Sequence, residues 1–447
     1  MFPSKNRSPK NPLLCGIYTL IMKRVWPWVL GVLSLLLLST GCTREHPGLI
    51  HDTGTLPVMR IEIDERYLWS ADSGLYVIGS NGRDLCNLVA NFNQRWEYPA
   101  RVRYYERSVL RFDHRVGFRI KGKCSRQMPM KSIGLYWRGQ YGHSSLNHQV
   151  FPDLELARFK RLFLRNSGND FGKTHLKDGS IATIHKDYSN VDVQAYLPCV
   201  VYLNDDYWGI HNIREMITPR HFQYHYGVNP DGVDLLEGSE RYPMADDGVT
   251  DGYMQEVVHF LESVDISKDA HYQTLLSRID IESYIDLIII NTYIMNTDWP
   301  MGNAKWWRDR TSQVYNRWRW VVMDGDWSMD PRDIDRVYIG DLYRENADDD
   351  RPDGFFLFNH LINNESFVKD FLARYRFFVD VVFAHDRVER IIRDNQQRIA
   401  MEYDNHQRKW GVISAKDWER AIEEMIEFNA KRGLKMREVL DKLEAAR

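Results

Sequence analysis

Between Asn291 and Asp326 the chain carries an order of residues that few folds accommodate. An apolar run ends at Met295, and the loop after it holds Asp298 and, five positions on, Asn303. Two aromatic segments follow, Ala304 to Arg308 and Val314 to Met323, and the second leads into Asp324 and Asp326. They read as two arms of a hairpin, so the returning arm brings its acidic pair back toward the loop. Upstream, Asp280 suits the N-cap of a helix from Ile281 to Met295, with Glu282 near its positive end. Ile285, Leu287, Ile288, Ile289 and Ile290 leave that helix almost no polar face, which predicts burial. A buried helix holds the next loop rigidly, as a constellation of reacting groups requires. In the second arm Trp318, Trp320 and Val322 share one face and read as core, while Arg317 and Arg319 take the other.

The rest of the chain bounds what such a site serves. With 447 residues, two or three domains are expected. Lys plus Arg (59) nearly balances Asp plus Glu (62), so no electrostatic footprint for nucleic acid is present. Five cysteines, at 15, 42, 86, 124 and 199, include no C-x-x-C pair, which argues against a structural zinc site. Val25 to Leu38 is apolar but short for a spanning helix, which needs ~20 residues. Behind Lys23 and Arg24 it has the form of a signal-peptide core. It ends Ser39-Thr40-Gly41-Cys42, similar to a bacterial lipobox, so Cys42 is the expected lipidation site of an exported, membrane-anchored protein. Met22 is an alternative start. With Cys42 acylated, three cysteines remain and at most one internal disulfide forms.

After a linker over 43–57, Val58 to Ile63, Leu75 to Ile78 and Val102 to Tyr105 read as strands of a mostly antiparallel β-rich region, 58–110. Ile133, Leu135 and Trp137 alternate with Gly134 and Tyr136, placing Lys131 at a strand entrance, where a lysine can reach a nucleotide's phosphates. Asn204-Asp205-Asp206 reads as a turn between strands Cys199 to Leu203 and Tyr207 to Ile213. Glu215 lies just past the second strand, ahead of a helical stretch from Pro219. Asp330 to Asp353, with Asp348-Asp349-Asp350, reads as a solvated acidic loop without EF-hand spacing. From Glu365 onward the periodicity is helical, through Phe371, Tyr375 and Phe378, then Val388 and Ile392, then Ile422 and Met425.

Several segments occur in a telling order: Arg119, Gly122, Ser125-Arg126 and Lys131-Ser132; then LRNSGND from Leu164; NDDYWGIHNIRE from Asn204; and NTDWPMGN through DGDW. Together they resemble the CotH kinase family, the spore-coat type of atypical protein kinase, over roughly residues 111–330. An Asp, four residues, an Asn, then a hairpin ending in Asp is also the order of parts in a kinase catalytic loop. The resemblance implies an α+β fold with a divergent protein-kinase-like core (111–330), flanked by the β-rich region and a helical C-terminal subdomain (331–447). It implies ATP with Mg2+ or Mn2+, and transfer of the γ-phosphate to Ser or Thr of surface or coat proteins. By position, Asp298 would serve the acceptor hydroxyl, Asn303, Asp326 and Asp324 the metal, and Lys131 paired with Glu215 the nucleotide. No G-x-G-x-x-G loop precedes Lys131, Lys177-Asp178 stands where relatives often show Arg-Asp, and Asp324-Gly325-Asp326 replaces Asp-Phe-Gly. Two other readings use the same residues: a surface module that binds without turnover, and a metal-dependent hydrolase on the acidic cluster.

Overall fold

Between Val58 and Arg214 seven strands, each sending every second side chain inward, roll into a closed barrel. In this computed structural model residues 56–300, 302–339 and 355–446 are described. The barrel strands are β1 (Val58–Ile63), β2 (Tyr98–Glu106), β3 (Val109–Lys121), β4 (Ser132–Tyr136), β5 (Arg161–Arg165), β7 (Tyr196–Leu203) and β8 (Asp206–Arg214). Around the barrel the order is β1-β7-β8-β5-β4-β3-β2, and β2 closes on β1 with Ile61 opposite Val102. The pairing of β1 with β7 is parallel, Val58 opposite Val200. Met59, Ile61, Val102, Phe118, Leu135, Leu164 and Val201 fill the interior.

The β7–β8 hairpin turns on Asn204 and Asp205 at φ 50° and 69°, the positive pair that a tight two-residue hairpin loop demands. A domain boundary at 110/111 would cut β3, so the strands before it belong to the same barrel as those after it. Leu75 to Ile78 is not a strand. Leu75 is fully buried, but its amide bonds the Tyr67 carbonyl and that of Tyr76 bonds Leu68, within an irregular connection.

Two residues before β7, the chain contributes β6 (Asp192–Val193) to a second sheet. The other members are β9 (Val233–Gly238), β10 (Pro243–Asp247), β11 (Ala304–Asp309) and β12 (Arg319–Val322), in the order β6-β12-β11-β9-β10. Trp306, Trp307, Trp318 and Trp320 are fully buried on it, so the aromatics of the hairpin are core. Against it packs α3 (Ile281–Tyr293); further helices include α1 (Lys177–His185), α2 (Pro219–Tyr226), α4 (Glu365–Phe377), α5 (His385–Trp410) and α6 (Ala415–Ala445).

The C-terminal helices are not set apart from the rest. The Ile210 amide on β8 donates to His406 Nδ1 of α5 (3.1 Å), and Trp410 Nε1 donates to the Trp208 carbonyl (3.1 Å). Arg432 of α6, fully buried, donates to the carbonyls of Thr292 (2.8 Å) and Tyr293 (3.0 Å) at the end of α3. The architecture is α+β. Cys86 and Cys124 form a disulfide, and Cys199 is a buried free thiol. Cys42, the signal-like segment and the acidic run at 348–350 lie outside the described residues.

Candidate active site

The site is assembled where α3 ends. Asp280 caps the helix, its Oδ1 accepting the Ser283 amide (3.2 Å), and the buried body is keyed to β12 by Ser283 Oγ accepting the Trp320 amide (2.9 Å). Beyond Tyr293 the backbone breaks at Met295, φ 52°, and enters the loop that carries Asp298. Two backbone bonds tie this loop to the DGDW turn: Thr297 N to Trp327 O (3.1 Å) and Met329 N to Ile294 O (2.8 Å). The sheet register does the rest. Ala304 on β11 faces Val322 on β12, so Asn303 and Met323 flank the same end of the hairpin and Asp324 follows. Asn303 and Asp324 both sit at positive φ, 54° and 60°; non-glycine residues held this way cluster where structure serves function.

Asn303 Nδ2 donates to Asp298 Oδ2 at 3.3 Å. Asp298 is exposed, yet its pKa is raised, first by partial burial of the carboxyl and then by the charge of Asp324. Asp326 is 3% exposed and accepts from the Asn169 amide (2.9 Å), Asn169 Nδ2 (3.3 Å) and Arg165 Nη2 (2.6 Å). Even so its pKa is pushed up to about 7, by burial first and by Asp324 second, against Arg165. Arg165 also bonds Asp324. Burial disfavours its charge, but Asp324, Asp178 and Asp326 outweigh that and hold its pKa above the ordinary value.

The scaffold under these groups comes from LRNSGND and the start of α1. Asn166 Nδ2 donates to Met130 O (2.7 Å), while its Oδ1 accepts from Ser132 Oγ (2.8 Å) and the Gly168 amide (3.1 Å). Gly168, at φ +55°, lies so close to Asp326 that a Cβ there would fall 1.8 Å from Oδ2. Only glycine fits both the backbone angle and the gap. Asp178 holds the turn itself: Oδ1 accepts the Gly325 amide (3.0 Å) and Oδ2 pairs with Arg214 (2.8 Å). Burial opposes ionisation of Asp178, but Arg214, Arg165 and that amide bring its pKa below the usual range. Lys177 Nζ donates to Ser328 O (2.7 Å).

Asp298, Asn303, Asp324 and Asp326 are therefore brought together, as their spacing anticipates. The expected Lys131–Glu215 pair does not form. Lys131 stands at the entrance to β4, but Nζ bonds the Arg126 carbonyl (2.6 Å) and the Met128 carbonyl (3.1 Å), 4.0 Å from the centre of the Phe92 ring. Burial, then Arg126, pushes its pKa down to about 8. The β8 residue that reaches it is His211, Nε2 to the Lys131 carbonyl at 3.3 Å; Glu215 lies four residues beyond, ~13 Å along an extended chain. Glu215 is engaged by His225 instead (2.8 Å). The cation at the carboxylates is Arg165, which spacing alone did not single out, although it is the one basic residue of LRNSGND.

All of these segments lie inside one stretch that matches a known protein family. Residues 118–436, from β3 to near the end of α6, match the family described as CotH kinase protein. No curated protein matches the chain. A match over well more than half of the length places the chain in one family: it belongs to the CotH kinase proteins.

Proposed function

We propose that the chain is an atypical protein kinase that moves the γ-phosphate of ATP to Ser or Thr hydroxyls of cell-surface proteins. The observation that carries the proposal is the convergence of Asp298, Asn303, Asp324 and Asp326 at one end of a buried helix and hairpin, with Asp326 under-compensated although Arg165 touches it. An all-oxygen set of carboxylates and an amide fits Mg2+ or Mn2+ rather than a softer metal. Asn303, Asp324 and Asp326 would hold it, and when bound with ATP it neutralises phosphate charge. Asp298, exposed and with a raised pKa, accepts the proton that the acceptor hydroxyl gives up as its oxygen bonds phosphorus and the bond to ADP breaks. Asn303 orients that carboxylate. Positioning and charge account for most of the catalysis in this chemistry.

Export and tethering through Cys42 belong to the same proposal. The Cys86–Cys124 disulfide supports them, since such bonds persist in oxidising compartments. A second reading, a surface module that binds without turnover, draws on Arg165 already bridging Asp324 and Asp326. Incubation with γ-labelled ATP, Mg2+ or Mn2+ and surface proteins of the same cell separates the two. Label on protein hydroxyls supports the kinase, label released to water points to a hydrolase, and bound but unconverted nucleotide leaves the binding module.

A further inference from the structure

A second cluster of ligating side chains lies away from the acidic site. Glu215, just past β8, faces His221 and His225, which stand four residues apart on α2 and so project from one side of it. Glu215 Oε1 is 2.8 Å from His225 Nε2 and 3.3 Å from His221 Nδ1, and one donor atom from each of the three residues lies within 4.8 Å of the others. Two ligands of a tetrahedral zinc, each ~2.0–2.1 Å from it, stand ~3.3 Å apart, so the spacing needs little adjustment. Glu215 and His221 are each 4% exposed. Glu215 Oε2 is fixed by the Ala195 amide at 3.1 Å, which leaves Oε1 for the imidazoles. His221 Nδ1 is buried and has no hydrogen-bond partner of acceptable geometry. A buried polar atom without a partner is costly, and here it points into the cluster.

The cluster lines a cavity of about 380 Å³ whose wall includes Lys186, Asp192, Gln194, Tyr226 and Arg319. This cavity meets α1 at Ala182, Thr183 and Lys186, whereas the acidic site meets it at Asp178. Ala182, the nearest of these to Asp178, is four residues of helix, ~6 Å, from it.

We propose that Glu215, His221 and His225 bind one zinc-class divalent cation, with a fourth coordination position open to the cavity. Imidazole nitrogens select such metals over Mg2+, and two histidines with one carboxylate leave a position for water or a small ligand. The absence of C-x-x-C pairs bears only on cysteine sites. This proposal is independent of the phosphoryl-transfer reading.

The test uses the full chain without a histidine tag, stripped with a chelator and titrated with Co2+. The expected result is one Co2+ per chain with a four-coordinate visible spectrum, displaced by Zn2+ and not by Mg2+, whereas Co2+ on the oxygen ligands of the acidic site is displaced by Mg2+. Azide should change the spectrum, because the fourth position faces the cavity. His225→Ala and Glu215→Gln should each weaken the affinity of this four-coordinate site by about a hundredfold or more. X-ray absorption of the zinc-loaded wild type should show two imidazoles, a measurement that does not depend on any variant folding. No stoichiometric Co2+ in the wild type, or a zinc shell without imidazole, overturns the site and leaves a hydrogen-bonded Glu–His–His cluster. A spectrum indifferent to azide overturns the open position.

Discussion

Asp298 and Asp326 sit within one constellation but face different surroundings, and that difference sets their expected roles. Asp298 is exposed and bonded to Asn303, whereas Asp326 is 3% exposed among Arg165, Asn169 and Asp324. Asp298→Ala should lower phosphoryl transfer by about 10²-fold or more while nucleotide affinity stays near the wild type. Asp326→Ala should instead weaken metal-dependent nucleotide binding, and parallel transfer assays and calorimetry distinguish the two. These residues were legible because a five-residue spacing and one hairpin bring them together. Arg165 was not, since its carboxylates lie about 160 positions away in the chain. Lys131 and Glu215 failed as a pair for the same physical reason: the partner of a buried charge is chosen by packing, which spacing does not report. Glu240 shows this best. It is buried beside the Tyr253 and Tyr284 phenols, accepts the Leu357 amide (2.9 Å), and burial pushes its pKa up to about 8 from an ordinary 4.5. A raised carboxyl binds its proton more tightly when folded, so its stabilisation is complete below 4.5 and is lost as pH rises through about 8. Between pH 5 and pH 9, denaturant unfolding should show the wild type losing up to about 4 kcal/mol relative to Glu240→Gln.

The element that positions the site is α3, and both of its ends are fixed by side chains. The N-cap Asp280 was legible, because an acid just ahead of an apolar run is a local signal. The other end was not. Arg432 arrives from α6, 140 positions after Thr292, and donates to the carbonyls of Thr292, Tyr293 and Ile334. A cation at a helix C-terminus answers both the unsatisfied carbonyls and the negative end of the dipole. Arg432→Met keeps much of the apolar stem but strands those carbonyls in a dry interface, so unfolding should become easier by about 3 kcal/mol. The loop to Asp298 leaves from this same end, so transfer should fall more than nucleotide binding. Asp280→Ala removes both the cap and the 2.6 Å bond from Arg319 Nη1 on β12, so it should cost about 2–3 kcal/mol in the same melts.

Across the whole molecule, the sequence conveyed strands and helices better than their closure. The alternation that marks β1 identifies a strand, but its parallel partner β7 begins more than a hundred positions later. A barrel and a run of separate antiparallel strands are therefore indistinguishable by local pattern, and a boundary drawn at 110/111 divided a single strand. The disulfide belongs to this scale as well. Cys86 and Cys124, 38 positions apart, tie the irregular connection between β1 and β2 to the approach to β4. That approach holds Arg126, whose guanidinium donates to the Phe92 and Gln94 carbonyls, and the Lys131 ammonium that bonds the Arg126 carbonyl. Closing a loop of this length restricts the unfolded chain by up to about 4 kcal/mol. Cys86→Ser with Cys124→Ser should lower the unfolding free energy by that amount or less, and reductant should do the same to the wild type while leaving the double variant unchanged. Asp298 is bonded by Asn303, and Asp326 by Arg165 and Asn169, none of them inside the loop 86–124 that the bond closes, so the double variant should keep its Mg2+-dependent nucleotide binding below its own melting point. If reductant destabilised the double variant equally, the bond would not be the source of the effect, and the disulfide would no longer support an oxidising compartment.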